Sequence, residues 1–230
     1  MKSLLISGIS GQVGTYLSKF AKNYGFNLIC GVDRKRFCEA DCPIYTSFNE
    51  VKENVDLIID FSSPALCSEA IDFCFKNDCK LVVGTTGLFT AQLENLKLLS
   101  QTNAVCKENN FSKSIVPFLQ ACNIIKSSLP EFDLSLIEEH HKRKKDAPSG
   151  TAKFLAEHLQ ITDVHSLRGG NVAGVHKVVF LGEGEEIEIT HRAYEKSIFA
   201  KGALYCAQKL FKKEKGLFSL EQLLNEEKAE

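Results

Sequence analysis

The sequence KSLLISGISGQVG at residues 2–14 is the most informative stretch in the first half of this chain. Residues Lys2 to Ser7 have the pattern of a buried strand, and a glycine-rich turn follows at once. Apolar residues then recur at helical spacing over residues 16–21, and a second strand pattern over residues 27–32 ends at Asp33. A strand, a glycine turn, a helix, a strand and an acid in this order predict a dinucleotide-binding βαβ unit.

The residues at the end of this unit bear on the choice of cofactor. Asp33 can accept hydrogen bonds from ribose hydroxyls, which favours NADH. Arg34, Lys35 and Arg36 follow directly and could hold the 2′-phosphate of NADPH, so both cofactors remain open. The alternative interpretation is a tight strand-to-helix turn that binds no ligand.

Strands and helices continue to alternate along the first half. Strand patterns over residues 56–61, 80–84 and 104–107 are separated by helical patterns, one of them starting at Thr90 as its expected N-cap. This alternation predicts a parallel, doubly wound sheet of Rossmann type. Ligands bind beyond the carboxyl ends of the strands in such sheets, so the segments that follow each strand are expected to line one crevice.

The second half changes character. A helical pattern over residues 115–128 precedes a strand that leads into His140, and two later strand patterns, residues 176–181 and 185–191, are typical of a hairpin. We expect an α+β domain with an open, mixed or antiparallel sheet, one face of which could pair with another subunit. A last helix is predicted over residues 197–212.

The stretch EEHHKRKKDAPSGT at residues 138–151 is the strongest candidate for chemistry. It combines two histidines at a strand end, four consecutive cations and the start of a predicted helix. A helix start offers unpaired N–H groups and a favourable dipole to an anion, and His140, His141 and Lys144 can exchange protons. The alternative is a solvated basic loop beside structural histidines.

Composition limits the other classes of function. The net charge of -1 gives no general attraction to nucleic acid, and no apolar run approaches the ~18 residues that span a bilayer. Residues 1–7 read as a strand, so no signal peptide is expected. The nine cysteines, an odd number, suit free thiols in a reducing cytoplasm, and Cys38 and Cys42 lack partners for a metal site.

Several motifs together resemble the 4-hydroxy-tetrahydrodipicolinate reductase family, also called dihydrodipicolinate reductases, which acts in diaminopimelate and lysine biosynthesis. The resemblance covers nearly the whole chain, and its most specific part is the segment from the paired histidines to Ser-Gly-Thr. The motifs are Gly8–Gly14, Asp60-Phe61-Ser62-Ser63-Pro64, Gly84-Thr85-Thr86-Gly87, Asn110-Phe111-Ser112, Glu138-Glu139-His140-His141, Lys144–Thr151 and Thr190-His191-Arg192-Ala193.

The resemblance implies a role for each matching residue. His140 would be the general acid/base and Lys144 the proton donor. The substrate dicarboxylate would contact His141, Ser149, Gly150, Thr151 and Thr86. The cofactor, NADH or NADPH, would contact Gly8, Gly11, Gln12, Val13, Gly14, Asp33, Arg34, Phe61, Gly84, Thr85, Thr86, Asn110, Phe111 and Ser112. No metal is implied.

The resemblance also implies an organisation for the whole chain. Residues 1–110 and 200–230 would form the dinucleotide-binding domain, and residues 111–199 the domain for substrate binding and tetramerisation. A cytoplasmic homotetramer without a nucleic-acid or membrane partner is expected. The chain departs from the family pattern at Lys113 and Ser114, at Lys196, where arginine is usual, and in a short segment, residues 159–168, expected to be a trimmed surface loop.

Three other classes of protein are weighed against this one. Another NAD(P)-dependent dehydrogenase acting on an amino or imino acid would share the first half, but would have no reason to keep His140, His141 and Lys144 together. A non-catalytic dinucleotide sensor could lose His140 or Lys144, yet both are present. Nucleic-acid binding through residues 142–145 ranks last, because one short basic loop is a poor electrostatic footprint.

Overall fold

The computed structural model describes residues 1–34 and 40–226. Two compact units are present: Met1–Phe111 with the segment that starts at Ser197, and Ser112–Lys196. Lys35, Arg36 and Cys38 lie outside the described residues, so their predicted contacts with a 2′-phosphate or a metal stay predictions.

The described residues contain strands and α-helices in regular alternation through the first unit. The strands are β1 (Lys2–Ser7), β2 (Phe26–Val32), β3 (Ile44–Tyr45), β4 (Leu57–Asp60), β5 (Lys80–Val83), β6 (Ala104–Lys107), β7 (Asp133–His140), β8 (Asp163–Arg168), β9 (Gly174–Leu181), β10 (Glu186–Ala193) and β11 (Gly216–Phe218). The helices are α1 (Gln12–Phe20), α2 (Pro64–Asn77), α3 (Thr90–Leu99), α4 (Ile115–Ser128), α5 (Gly150–Leu159), α6 (Ser197–Leu210) and α7 (Leu220–Asn225).

The first unit is built on a parallel sheet of seven strands in the order β11-β6-β5-β4-β1-β2-β3. The predicted Rossmann-type fold is therefore confirmed. Strands β1 and β4 are fully buried at Leu4, Leu5 and Ile58, as expected for a sheet covered on both faces. The two edge strands β3 and β11 were not predicted, because two and three residues are too short to show a periodicity.

The start of α3 corrects one detail. Thr90 is the first helical residue, and the N-cap position belongs to Phe89. The backbone N–H of Phe89 donates to Oε1 of Gln92 at 2.9 Å. The side chain of Gln92, which is buried, thus closes the helix start in place of a threonine hydroxyl.

The second unit contains a mixed sheet of four strands in the order β10-β9-β7-β8. Strand β7 runs parallel to β8 and antiparallel to β9, which confirms the mixed sheet. Helices α4 and α5 cover one face, where Phe118 and Leu155 pack with Leu136, Val178 and Phe180 in one apolar core.

The opposite face of this sheet, called the open face below, carries alternate residues that point away from α4 and α5. Its exposed members are Asp133 of β7, Asp163, His165 and Leu167 of β8, Leu181 of β9, and Glu186, Glu188, Thr190 and Arg192 of β10. The expectation of a trimmed surface loop at residues 159–168 was wrong, because most of that segment forms the edge strand β8. Its alternation of exposed and half-buried residues suits a strand with one covered face.

Candidate active site

A row of polar side chains crosses the helix-facing side of the four-stranded sheet. Ser166, Glu138, His176 and His191 are cross-strand neighbours on β8, β7, β9 and β10. His140 lies two residues beyond Glu138 on the same face of β7. Polar groups on a face that is otherwise an apolar core cost free energy unless they are paired, so this row is the candidate functional site.

Glu138 is fully buried at the centre of this row. Its Oε2 accepts a hydrogen bond from Nδ1 of His140. Its Oε1 accepts from Nη2 of Arg168 at 2.5 Å and from the backbone N–H of Ser149 at 3.2 Å. Burial alone would raise the pKa of Glu138, but the hydrogen bonds from Arg168, Ser166 and His140 outweigh it and lower the pKa to about 2. Glu138 is therefore an anion at neutral pH.

His140 is buried with its Nδ1 directed at Glu138. Burial lowers its pKa, Glu138 raises it, and Lys144 and Arg168 lower it again, so that the pKa ends below the ordinary histidine value. Its Nε2 faces the backbone of Gly174, where an added Cβ would lie only 3.1 Å away. A side chain at position 174 would therefore crowd Nε2, the ring nitrogen that Glu138 does not contact.

His176 and His191 extend the row beyond His140. The ring of His176 meets the ring of His140 edge-on at 5.4 Å and stacks on His191 at 6.3 Å. Burial, followed by repulsion from His140 and His191, lowers the pKa of His176 to about 3. Its Nε2 lies 3.3 Å from Oγ of Ser149, so a neutral imidazole supports the start of α5.

The basic loop after β7 carries the predicted proton donor. Nζ of Lys144 forms an ion pair with Asp146 at 2.8 Å. Burial pushes the pKa of Asp146 up, but hydrogen bonds from Lys144 and from the backbone N–H of Gly150 outweigh it and lower the pKa. One carboxylate thus already occupies the position between the lysine and the helix start.

The remaining predicted substrate contacts surround this loop. Ser149 is buried and caps α5, with its Oγ accepting from the N–H of Ala152 at 3.2 Å. Gly150 and Thr151 follow in the first helical turn. Partial burial and the cations Lys196, Arg143 and Lys144 lower the pKa of His141. The cations Arg143, Lys144 and Lys196 therefore provide the positive charge around a neutral His141, and the start of α5 adds backbone N–H groups that can bind an anion.

The glycine turn of the first unit has the shape that a dinucleotide needs. Gly8 adopts φ +79°, and a Cβ there would lie 2.3 Å from the carbonyl oxygen of Phe61. A Cβ on Gly14 would lie 2.3 Å from the carbonyl oxygen of Gly8. The turn borders a cavity of about 250 Å³ that is also lined by Asp33 and Arg34. These residues fit the pyrophosphate and ribose of a nicotinamide dinucleotide.

The other predicted cofactor residues of the first unit differ in their exposure and in their contacts. Gln12 and Thr86 are exposed, while Val13, Gly84 and Asn110 are half-buried. The ring of Phe61 lies where a side chain on Gly84 would be, and it packs on the buried Phe111 at 5.5 Å. The hydroxyl of Thr85 donates to the buried Asp60 at 2.6 Å and accepts from the N–H of Ser62, so it braces the strand ends.

Ser112, by contrast, belongs to the second unit. It is buried, with its Oγ 2.9 Å from Ser114 and 3.5 Å from Nε2 of His191. It therefore lies at the His191 end of the row of polar side chains.

Sequence reasoning assigned no role to Glu138, Arg168 or His176. The spacing of Glu138 and His140 was a usable signal, because residues i and i+2 of a strand share a face. The position of His176 depends on the register of β7 and β9, which no local pattern reveals. Arg168 lay in the segment that was expected to be a loop.

Both halves of the chain match models of one protein family. Residues 2–111 match "Dihydrodipicolinate reductase, N-terminus", and residues 114–224 match "Dihydrodipicolinate reductase, C-terminus". This chain belongs to the dihydrodipicolinate reductase family. The part that matches the N-terminal dihydrodipicolinate reductase model includes the glycine turn and its cavity. The part that matches the C-terminal model includes the row of polar side chains and the basic loop.

Individual dihydrodipicolinate reductase relatives agree over nearly the full length. The 4-hydroxy-tetrahydrodipicolinate reductase of Caldanaerobacter subterraneus subsp. tengcongensis is 32% identical, with 97% of this chain and 98% of the relative covered. The enzyme of the same name from Thermosipho africanus is 34% identical, with 96% and 97% covered. These identities make the chain an oxidoreductase of this family that binds a nicotinamide dinucleotide.

A solved structure shows the same fold. "Dipicolinate bound Dihydrodipicolinate reductase" from Paenisporosarcina sp. TG-14 superposes with a TM-score of 0.80 at 21% identity, covering 95% of this chain and 97% of that chain. The diaminopimelate dehydrogenase of C. glutamicum superposes with a TM-score of 0.60 at 9% identity, with 96% and 93% covered.

Residues 1–34 and 40–226 contain no helix with the length and apolar character needed to cross a bilayer. The same residues hold no group of three or more His, Cys, Asp or Glu side chains arranged for a metal ion. The eight cysteines in these ranges are free thiols, and all except Cys42 are buried.

Proposed function

We propose that this protein reduces 4-hydroxy-tetrahydrodipicolinate to tetrahydrodipicolinate with NADH or NADPH, as a step of diaminopimelate and lysine biosynthesis. The observation that carries the proposal is the pairing of buried His140 with Glu138 beside Lys144 and the start of α5. Family membership of both halves supports it. A proton donor and a carboxylate site are what reduction of a cyclic dicarboxylate imine requires.

The first unit is proposed to hold the cofactor, which supplies a hydride when bound. Gly8, Gly11 and Gly14 allow the backbone to approach the pyrophosphate, with Gln12 and Val13 beside it at the start of α1. Asp33 would accept hydrogen bonds from the adenine ribose. Its Oδ2 accepts from the N–H of Ser10 at 3.0 Å, which holds the carboxylate at the cavity.

Other residues of this unit are proposed to shape the nicotinamide side of the cofactor site. They are Phe61, Gly84, Thr85, Thr86, Asn110 and Phe111, with Ser112 as a further proposed contact. Arg34, which follows Asp33, is proposed to contact the adenine ribose or the 2′-phosphate of NADPH instead. The hydrogen bonds from Thr85 to Asp60 and from the N–H of Ser62 to Thr85 hold the ends of β4 and β5 together, which supports the backbone at Phe61 and Gly84.

The second unit is proposed to hold the dicarboxylate. His141, Ser149, Gly150 and Thr151 would bind carboxylate oxygens through side chains and helix-start N–H groups, with Thr86 adding a hydroxyl. Asp146 now pairs with Lys144 and Gly150, which indicates that this place accepts a carboxylate.

His140 and Lys144 are proposed to move the protons. Loss of the ring hydroxyl as water needs an acid, and hydride addition at one ring carbon creates electron density that needs a proton on the next. Lys144 would supply the carbon-bound proton, and His140 would exchange protons through Nε2 because Glu138 occupies Nδ1.

The assembly and location are proposed as well. The open face exposes Leu167 and Leu181 among charged side chains, which supports pairing of sheets between subunits of a homotetramer. Residues 111–199 would then serve substrate binding and tetramerisation, and residues 1–110 with 200–230 dinucleotide binding. A cytoplasmic location fits free cysteines in a biosynthetic enzyme.

A turnover assay tests this function. The substrate is made in situ from pyruvate and aspartate semialdehyde by the condensing enzyme, and loss of the reduced nicotinamide is followed with NADH and with NADPH. We expect oxidation of at least one cofactor only when the condensation product is formed. Oxidation that is absent with this substrate but present with another cyclic imine, or with a 2-oxo acid and ammonia, would contradict the proposal.

A further inference from the structure

The proposed function leaves unexplained why a fully buried glutamate occupies the middle of the site. Glu138 has no exposed surface, so it cannot bind a substrate itself. Burying a carboxylate is costly unless every lone pair is satisfied. Here its oxygens accept hydrogen bonds from Nδ1 of His140, Nη2 of Arg168 and the N–H of Ser149.

We propose that Glu138 is a positioning residue that orients the His140 ring and joins it to the start of α5 and to the basic loop. This inference rests on the proposed function and adds the group that prepares its proton-transfer residue. Three parts of the site meet on this one carboxylate: the imidazole, the helix start at Ser149, and, through Arg168, the loop that carries Lys144.

The contact with His140 determines which nitrogen reacts. An ionised carboxylate can only accept hydrogen bonds, so Nδ1 of His140 carries a proton that stays in the protein. The neutral ring therefore has its lone pair on Nε2, and the protonated ring has its transferable proton there. Nε2 faces the space beside Gly174, where a side chain would intrude.

Arg168 extends the same control to the loop. Its Nη2 also donates to the carbonyl oxygen of Asp146 at 2.6 Å, and its Nη1 donates to the carbonyl oxygen of Leu167 at 2.7 Å. Asp146 in turn pairs with Nζ of Lys144. The chain of contacts from His140 through Glu138 and Arg168 thus fixes the backbone next to the second proton donor.

The charges around His140 shift its pKa in opposite directions, so removing Glu138 and removing Arg168 should have opposite effects on that pKa. Glu138 on β7 raises the pKa of His140, whereas Arg168 on β8 and Lys144 in the loop lower it. The ring of His176 on β9, a neutral base with a pKa of about 3, faces it edge-on. Replacing Glu138 by glutamine should lower the pKa of His140, and replacing Arg168 by glutamine should raise it.

The decisive experiment is an NMR titration of the imidazoles in full-length protein with isotopically labelled histidine, with His140→Ala to assign the resonance. In wild type we expect the neutral His140 ring to carry its proton on Nδ1. Glu138→Gln should remove this preference and lower the pKa by about one unit, while Arg168→Gln should raise it by a similar amount. Glu157→Gln, an exposed glutamate in α5, should change neither.

Turnover of the same variants gives an independent readout. We expect Glu138→Gln to lower kcat by roughly 10- to 100-fold, a part of the 10²- to 10⁴-fold typical of a general acid, with the KM for the nucleotide unchanged. Its pH profile should move to lower pH and that of Arg168→Gln to higher pH. A purely structural role would lower the melting temperature and leave both profiles in place.

Three outcomes would overturn the inference: a wild-type ring protonated on Nε2, equal pKa values in all variants, or shifts of Glu138→Gln and Arg168→Gln in the same direction. If Glu138→Gln does not fold, the sign of the Arg168→Gln shift and the wild-type tautomer still decide. Wild-type protein that turns over no substrate would defeat the proposed function alone, because the NMR titration requires no reaction.

Discussion

Protonation of one buried residue, His176, affects the stability of the fold. Its ring is buried between two other imidazoles, and its pKa of about 3 keeps it neutral at pH 7. In the unfolded chain this group would titrate near the ordinary value of 6.5. Between these two pH values the unfolded chain binds a proton that the folded protein excludes, so acid favours unfolding.

We therefore expect the free energy of unfolding to decrease as the pH falls from about 6.5 towards 3, by up to about 1.4 kcal/mol per pH unit from this group. His176→Gln should remove most of that slope, because glutamine has no proton to gain. Urea denaturation at a series of pH values measures it. His158→Gln, at an exposed position of α5, should keep the wild-type slope, and equal slopes for both variants would contradict the prediction.

Single residues also show what the sequence could and could not predict. His140, His141, Lys144 and Ser149 were found because they lie within one continuous stretch whose chemistry can be read locally. Arg168 reaches the site only because β8 pairs with β7 in a particular register. Long-range register of this kind leaves no local mark on a sequence.

Helix α6 provides a test at the scale of elements. A Cβ on Gly202 would lie 1.7 Å from the carbonyl oxygen of Phe111, so the helix approaches that backbone closely. Alanine is the better helix former by about 1 kcal/mol, yet we expect Gly202→Ala to lower the free energy of unfolding by about 1–3 kcal/mol through overpacking.

Chemical denaturation of Gly202→Ala measures this effect. Gly169→Ala is the matched control, because a Cβ there meets no atom within 4 Å, and its stability should stay close to wild type. A Gly202→Ala variant as stable as wild type would show that the close approach of α6 is not needed.

The elements also separate what local patterns predict from what they do not. Strands β1 and β2 and helix α4 were predicted closely, because each is bounded by glycine, proline or polar residues and shows a clear periodicity. Strands β3, β8 and β11 were missed, since they are short or polar and exist by pairing with a neighbouring strand. The start of α3 was misplaced because the side chain of Gln92 closes it.

The exposed side chains of the open face allow a prediction about the oligomeric state of the protein. Leu167 is 54% exposed there, next to charged neighbours, and a tetramer built on this face would bury it. Leu167→Asp would place a charge in that proposed interface, so we expect this variant to form smaller species than wild type in light scattering coupled to gel filtration. Leu98→Asp is the control, since Leu98 is 52% exposed in the first unit.

A tetramer that persists in Leu167→Asp, or a wild-type protein that is a monomer at micromolar concentration, would contradict an interface on the open face.

For the whole molecule, the sequence predicted the fold class of both units, because alternation of strands and helices in the first half and hairpin patterns in the second are distributed over many residues. The assembly was expected from the family resemblance alone.

His140 and Lys144 are proposed to transfer protons in a reductase site of the second unit, and this role can be measured directly. Its most direct test is kcat of His140→Ala and Lys144→Ala beside Lys145→Ala, an exposed lysine of the same loop, with dipicolinate binding measured in each. We expect kcat to fall by about 10²- to 10⁴-fold in the first two variants and to stay near wild type in the third, with folded protein throughout. Equal kcat values in all three variants would contradict proton transfer by His140 and Lys144.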